Sequence, residues 1–96
     1  MSYRLSPRAE ADLESILDYI HQRNPSAALR LLARFEQRWE LLTTQPCSGP
    51  ARTDLAQGLR QVTTGSYVSF YQAREGGIEI LRVLHGKPRI EDETFG

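Results

Sequence analysis

Residues 59–86 read LRQVTTGSYVSFYQAREGGIEILRVLHG, and we expect the rest of the chain to be arranged around them. It contains three runs that are rich in Val, Ile, Tyr, Phe and Thr, the residue types that favour β-strands. Glycine-containing links separate the runs, and Gly65 can adopt the positive φ that a tight hairpin needs. The stretch therefore predicts a β-meander with strands at Leu59–Thr64, Tyr67–Ala73 and Ile78–His85.

Alternation of side chains gives the middle strand two different faces. Val68 and Phe70 make one face apolar, whereas the other face is polar but aromatic and carries Tyr67, Ser69 and Tyr71. The last strand has apolar residues on both parities, as is typical of a central strand that is covered on two sides. Strict alternation puts Leu81 and Val83 on one face of it and Ile78, Ile80 and Leu84 on the other, where Arg82 interrupts the set.

Two helices are predicted ahead of the meander. Ser6-Pro7 and Asn24-Pro25 each place a capping side chain before a proline at the first helical position. Apolar residues then recur at helical spacing, in the first helix up to Gln22 or Arg23 and in the second up to Gln45-Pro46. Because the link between the helices is so short, they must form an antiparallel hairpin.

The remaining segments complete the expected architecture. Ser2–Leu5 predicts a short edge strand, and the Pro, Gly, Ser and Asp content of Pro46–Gly58 predicts a loop. We expect a single α+β domain over residues 1–96, in the order β-α-α-β-β-β. In this arrangement the helical hairpin packs on one face of a small, mostly antiparallel sheet.

Composition limits the classes of function. The 12 basic and 12 acidic side chains cancel, so no overall field attracts the chain to nucleic acid or to an anionic membrane. We expect neither membrane association nor direct sequence-specific binding of nucleic acid. Cys47 has no second cysteine to pair with, and no signal-like segment is seen, which together predict a cytoplasmic protein. His21 and His85 lie far apart in sequence, and we expect no metal and no cofactor.

With this element order in place, the sequence resembles the RelE/ParE superfamily of bacterial toxins, and most of all its ParE branch. The blocks that carry the resemblance are YRLSPRAEADLESILDYI (3–20), NPSAALRLLARFEQRWELL (24–42), QPCSGPARTDLAQGLR (45–60), GSYVSFY (65–71) and IEILRVLHGKPRIED (78–92). Together they cover nearly the whole chain. The resemblance implies a small toxin of a type II toxin–antitoxin system, silenced by a ParD-like antitoxin. ParE-type toxins act on DNA gyrase, whereas RelE-type toxins cleave messenger RNA in the ribosome.

An RNase of the RelE kind needs cations near the scissile phosphate and groups that move protons. The candidates here are expected at one end of the sheet: Arg60, Arg82, His85, Lys87 and Arg89. RelE-type enzymes tend to be strongly basic and to use a C-terminal tyrosine, but this chain is neutral and has Phe95 there. We therefore expect a toxin that binds gyrase without catalytic residues. The alternatives are a ribosome-dependent mRNA endonuclease and an inactive toxin fold that binds antitoxin.

Structural roles compete with catalysis for two of these candidates. His85 is also interpreted as a strand-end side chain bonded to nearby backbone, and Arg82 as a group that lies across Tyr67 or Tyr71 or pairs with an acid. Lys87 and Arg89 fit equally well as solvated charges and as contacts to the target, and we take them as the first candidates for target binding.

For the antitoxin, two surfaces are candidates. One is the edge strand Ser2–Leu5, which could pair with an added strand. The other is the second helix, where the expected contacts are Leu29, Arg34, Arg38 and Leu41. The basic row to which Arg34 and Arg38 belong is also interpreted as an ordinary solvated face.

Overall fold

The structure is a computed structural model that describes residues 2–86. Lys87 and Arg89, the residues expected to bind the target, lie outside the described residues, as does Phe95. The element order is the predicted one: β1 Ser2–Leu5, α1 Pro7–Arg23, α2 Pro25–Thr44, β2 Arg60–Thr64, β3 Tyr67–Arg74 and β4 Gly77–His85.

Both helices begin with the capping arrangement that the sequence predicts. The Ala9 N–H donates to Ser6 Oγ at 3.1 Å, and the Ala27 N–H donates to Asn24 Oδ1 at 3.2 Å. Asn24 also ends α1, because its backbone N–H donates to the Ile20 carbonyl at 2.7 Å. One residue therefore ends the first helix and caps the second, which folds the helices back on each other as an antiparallel pair.

The strands form a mixed sheet in the order β1-β4-β3-β2. β2 to β4 make the predicted antiparallel meander, and β1 lies parallel to β4 from Ser2 beside Gly77 to Leu5 beside Ile80. Gly65 has φ 60° in the link between β2 and β3, as the sequence predicts. Gly77 allows β1 to approach closely, since a Cβ there would lie 1.7 Å from the Ser2 carbonyl oxygen.

The helices cover the polar, aromatic face of the sheet, and the apolar face lies opposite. Under the helices, Trp39 Nε1 donates to Ser69 Oγ at 3.0 Å, and the Phe35 and Trp39 rings stack 5.3 Å apart. Val68 and Phe70 instead pack with Leu59 in a second cluster. Leu55 and Ala56, from the segment that precedes β2, cover this second cluster. Ser69 and Tyr71 can be buried on this polar face because their hydroxyl groups have hydrogen-bond partners.

A β-bulge changes the faces predicted for β4. The pairing of β3 with β4 shifts between Phe70 and Tyr71, so that Phe70 lies opposite Arg82 and Tyr71 lies opposite Ile80. The extra residue is Leu81, and beyond it the alternation of side chains is reversed. As a result Val83 joins Ile78 and Ile80 under the helices, whereas Leu81 and Leu84 pack in the second cluster. The faces expected from strict alternation are therefore wrong for this strand.

Candidate functional site

The residues expected to serve a ribonuclease do not form one group. Arg60 lies beside Tyr71 at the start of β2, and His85 lies beside Tyr67 at the end of β4. Tyr67 and Tyr71 are four positions apart on β3, which is about 13 Å along a strand. In a meander the first strand begins at the end of the sheet opposite to that where the third strand finishes. The expectation that Arg60 lies near His85 is therefore wrong, and Lys87 and Arg89 lie outside residues 2–86.

Arg82 is held by an acid, which confirms one of the structural interpretations made from the sequence. Its Nε and Nη2 donate to the two carboxylate oxygens of Asp12 at 2.7 and 3.1 Å. Each of the two side chains is only 16% exposed. The hydrogen bonds to Asp12 raise the pKa of Arg82 against the opposing effect of burial. Two of its nitrogen atoms are thus engaged within the protein instead of facing a substrate.

The same carboxylate closes the edge of β4 beyond the end of β1. The Val83 N–H donates to Asp12 Oδ2 at 3.0 Å. Nearer to β1, Ser6 donates through its N–H to the Ile80 carbonyl and through its hydroxyl to the Leu81 carbonyl, both at 2.9 Å. The start of α1 therefore partners the polar groups of β4 where the neighbouring strand is missing.

Arg60 is used to hold the loop that leads from α2 to β2. Its Nη1 donates to the carbonyls of Cys47 and Gly49 at 3.2 and 2.8 Å. The hydroxyl of Tyr71 donates to the Pro46 carbonyl at 2.8 Å and accepts the Gly49 N–H at 3.0 Å. A Cβ on Gly49 would lie 2.5 Å from this hydroxyl oxygen. Both Arg60 and Tyr71 thus fix the loop, which is a structural role.

His85 lies at the exposed end of β4. Its ring meets the Tyr67 ring edge to face, with 5.3 Å between centroids. Immediately after it, the Gly86 N–H donates to the Ser66 carbonyl at 2.7 Å and fixes the chain against the turn between β2 and β3. Among the three ribonuclease candidates within residues 2–86, Arg60 and Arg82 are bound by groups of the protein, and His85 is exposed but contacts the Tyr67 ring.

A groove runs between α2 and β2. Arg34, Arg38 and Leu41 repeat at spacings of four and three residues, which places them on one face of α2. The groove encloses about 480 Å³ along Arg38, Leu41 and the strand residues Gln61 to Thr63, and about 240 Å³ more beside Arg34 and Thr64. We call these residues, together with the segment 48–50 at one end, the α2–β2 groove.

The groove carries two arginines, and one buried hydroxyl group beside it has no hydrogen-bond partner within the described residues. Within residues 2–86 neither Arg34 nor Arg38 makes an ion pair, and no acidic residue lines the groove. Thr64 is only 4% exposed, and its hydroxyl has no hydrogen-bond partner within the described part of the chain. β2 is also the last strand of the sheet, and beyond Gln61, whose N–H donates to the Pro50 carbonyl, its outer edge has no described neighbour.

Leu29 does not belong to this surface. It precedes Arg34 by five residues, a rotation of about 140° around the helix. Leu29 is 69% exposed and Leu41 is 59% exposed, so both are accessible. The structure thus brings together three of the four residues expected to bind an antitoxin, Arg34, Arg38 and Leu41, and leaves the fourth on another side of α2.

Two polar residues of these surfaces were missed by sequence reasoning. Asp12 lies three residues after Ala9 and four before Ile16, so it interrupts the apolar stripe of α1, and this position was a usable signal. Thr64 gives no such signal, because threonine is common in strands and its missing partner is visible only in three dimensions.

The residues described by the structure contain no cluster of His, Cys, Asp and Glu that could hold a metal ion. Within the same part of the chain, no helix is both long enough and apolar enough to cross a membrane.

Comparison with known proteins agrees with this fold. Residues 3–89 match the family described as the ParE toxin of the type II toxin-antitoxin system, parDE. The chain is 37% identical to Toxin ParE1 of Caulobacter vibrioides over 84 residues, which is 86% of each chain. It is 32% identical to Toxin ParE1 of Mycobacterium tuberculosis over 91 residues, 93% of each chain.

A solved structure has the same fold. It is titled as the chromosomal ParDE TA system from P. aeruginosa, and it superposes with a TM-score of 0.73 at 24% identity, over 88% of this chain and 95% of that chain. The match of the family to nearly all described residues, together with two relatives above 30% identity, establishes the assignment. This chain belongs to the ParE toxin family of type II toxin–antitoxin systems.

Proposed function

We propose that this chain acts by binding DNA gyrase and that a ParD-like antitoxin silences it. The observation that carries the proposal is the engagement of Arg60 and Arg82 by structural partners at separate places on the sheet. The cations that a ribonuclease would need around one phosphate are therefore not assembled in residues 2–86. Family membership supports the choice of a gyrase-directed toxin over a messenger RNA endonuclease.

The test compares two activities of the same toxin. Purified, antitoxin-free protein is expected to inhibit supercoiling by gyrase, and its induction in cells is expected to block replication while transcripts stay intact. Supercoiling that is unaffected at high toxin concentration would contradict the proposal. Broken transcripts that disappear in His85→Ala would support the ribonuclease instead, and harmless expression would indicate an inactive toxin fold.

Contacts with gyrase are assigned to Lys87 and Arg89, because this segment follows the exposed end of the sheet at His85 and Gly86. Lys87→Ala/Arg89→Ala is expected to weaken inhibition of supercoiling, and urea denaturation of the same variant checks that its stability is unchanged. The matched control is Arg8→Ala on the exposed part of α1, which is expected to inhibit gyrase like the unmodified toxin. Equal inhibition by all three proteins would remove the assignment.

The antitoxin is assigned to the α2–β2 groove. An acidic segment would pair with Arg34 and Arg38, an apolar side chain would cover Leu41, and an added strand would satisfy the outer edge of β2. Arg34→Glu/Arg38→Glu is expected to weaken binding of the antitoxin strongly, because it replaces attraction by repulsion. Arg30→Glu is the matched control, since it changes an exposed arginine on α2 that does not line the groove.

Hydrogen exchange gives an independent measurement of the same assignment. On addition of antitoxin, amides of β2 beyond Gln61 are expected to become protected. Protection confined to β1, the other edge strand, would move the docking site there. Protection of neither β1 nor α2 would contradict both docking sites expected from the sequence.

A further inference from the structure

Within residues 2–86, the outer edge of β2 is open at a single residue. The Gln61 N–H donates to the Pro50 carbonyl at 3.1 Å and therefore points away from β3. Because successive residues of an antiparallel strand turn their polar groups to opposite sides, Thr63 also points outward, whereas Val62 and Thr64 point toward β3. Beyond Gln61, the outward N–H and C=O of β2 are thus those of Thr63.

The segment that precedes β2 closes the first part of this edge. The Arg52 N–H donates to the Leu59 carbonyl at 2.7 Å, so residues 50–52 lie along the start of β2 like a short further strand. The Gln61 carbonyl is covered as well, since a Cβ on Gly49 would lie 2.5 Å from its oxygen atom. An added strand therefore cannot pair with Gln61 while this segment is in place.

Arg34 limits the edge at its other end. Its Nη1 lies 3.5 Å from the position that a Cβ on Gly65 would occupy, so the guanidinium lies beside the turn that follows β2. Thr63 lines the groove between Gly49 and this guanidinium. An extended chain that follows the groove therefore meets open backbone at Thr63, with the edge covered on both sides of it.

The two edges of the sheet carry opposite charges. Burial raises the pKa of Tyr3 on β1, and the nearby charges of Glu36 and Glu40 on α2 raise it further. Beside β2, the same helix presents Arg34 and Arg38 instead. An acidic segment is therefore attracted to the edge of β2 and repelled from the edge of β1.

We propose that an extended, acidic segment of the antitoxin pairs with β2 through one residue, which exchanges two hydrogen bonds with the N–H and C=O of Thr63. Gly49 and Pro50 stop the pairing there, so the segment leaves the sheet edge where Leu41 and Leu42 line the groove. The inference rests on the assignment of the antitoxin to the α2–β2 groove and adds its register. Because one residue is available, the segment cannot slide along β2.

Residue-resolved amide exchange in the unmodified toxin tests this register. In the free toxin, Val62 and Thr64 are expected to be protected by their bonds to β3, and Thr63 is expected to exchange quickly. Addition of purified ParD-like antitoxin is expected to slow exchange at Thr63 toward the rate of these neighbours and to leave Arg52 as protected as before. Fast exchange at Thr63 in the complex would overturn the proposal. Faster exchange at Arg52 would also overturn it, because residues 50–52 would then have been displaced.

Thr63→Pro removes the N–H that the proposed pair uses. Proline is tolerated on an edge strand where its nitrogen faces outward, so the variant is expected to fold. The matched control is Thr63→Ala, which keeps the N–H. Loss of one hydrogen bond predicts that Thr63→Pro binds the antitoxin about two- to twelve-fold more weakly than Thr63→Ala, measured by titration calorimetry. Equal affinities of the two folded variants would overturn the proposal, and the amide exchange of the unmodified toxin decides if the proline variant does not fold.

The groove variant separates this proposal from the assignment on which it rests. If Arg34→Glu/Arg38→Glu loses antitoxin binding while Thr63→Pro and Thr63→Ala bind equally, the groove assignment stands and the pairing at Thr63 is wrong. If Arg34→Glu/Arg38→Glu binds the antitoxin like the unmodified toxin, the groove assignment fails and the pairing fails with it. Inhibition of gyrase enters neither comparison, so a failure of the proposed target leaves both results unchanged.

Discussion

The edge of β4 beside α1 and the edge of β2 beside α2 differ in how their polar groups are partnered. Beside α1, Asp12 binds Arg82 and the Val83 N–H, and Ser6 binds two carbonyls of β4. Beside α2, Arg34 and Arg38 have no ion pair within residues 2–86 and the buried Thr64 hydroxyl has no partner.

This difference indicates that the α1–β4 edge contributes mainly to stability and the α2–β2 groove mainly to binding. Polar groups that already have partners contribute to folding and offer little to a ligand, whereas unpartnered groups make the folded protein less stable and give a ligand something to bind. We therefore expect substitutions at the α1–β4 edge to change the free energy of unfolding, and substitutions in the groove to change binding. The following variants test this contrast in order of expected effect.

The largest loss of stability is expected from Asp12→Ala. The change removes three hydrogen bonds and leaves Arg82, whose side chain is 16% exposed, without its counter-charge. The expected decrease in the free energy of unfolding is about 2–4 kcal/mol, measured by urea denaturation. Glu14→Ala, at an exposed acid on the same helix, is the matched control and should change it by less than about 0.5 kcal/mol. Equal losses in both variants would show that the hydrogen bonds of Asp12 at the α1–β4 edge do not contribute to stability.

A smaller loss is expected where the loop after α2 is held. Tyr71→Phe removes the bonds to the Pro46 carbonyl and the Gly49 N–H, at an expected cost of about 1–2 kcal/mol. Tyr19→Phe, at a tyrosine that is 57% exposed, is the matched control. A Tyr71→Phe protein as stable as the control would show that the hydroxyl does not hold the loop.

Tyr71→Phe is also expected to change how the free energy of unfolding depends on pH. Burial raises the pKa of Tyr71 against the opposing effect of the Gly49 hydrogen bond. Above about pH 10 the unfolded chain loses the tyrosine proton while the folded protein keeps it, so the free energy of unfolding falls as the pH rises. Tyr71→Phe should lack this part of the decline, and Tyr3, whose pKa is also raised by burial, keeps its contribution in both proteins. Parallel stability curves between pH 9 and 11 would contradict the prediction.

Much of the fold could be predicted because its signals are local. The two cap-plus-proline pairs gave the helix starts, and Gly65 gave the turn that opens the meander. The bulge at Leu81 could not be predicted, since alternation assumes a regular pleat, and the faces expected for Val83 and Leu84 were wrong for that reason.

The candidate site was harder to predict because its contacts join distant parts of the chain. Asp12 and Arg82 are 70 residues apart, and only the folded chain shows that they are partners. Arg34, Arg38 and Leu41 could be placed on one helix face from their spacing. That this face lies beside the edge of β2 follows from the sheet order, which the sequence does not specify uniquely.

The smallest effect, and the one with the opposite sign, is expected from Thr64→Val. The substitution keeps the shape of the side chain and removes a buried hydroxyl that lacks a partner, so the free protein should gain about 1 kcal/mol in the free energy of unfolding. Thr43→Val is the matched control, because Thr43 is equally buried but its hydroxyl donates to the Glu40 carbonyl at 2.6 Å. That control should lose stability. If Thr64→Val is also destabilised, the hydroxyl has a partner in the free protein and the prediction is wrong.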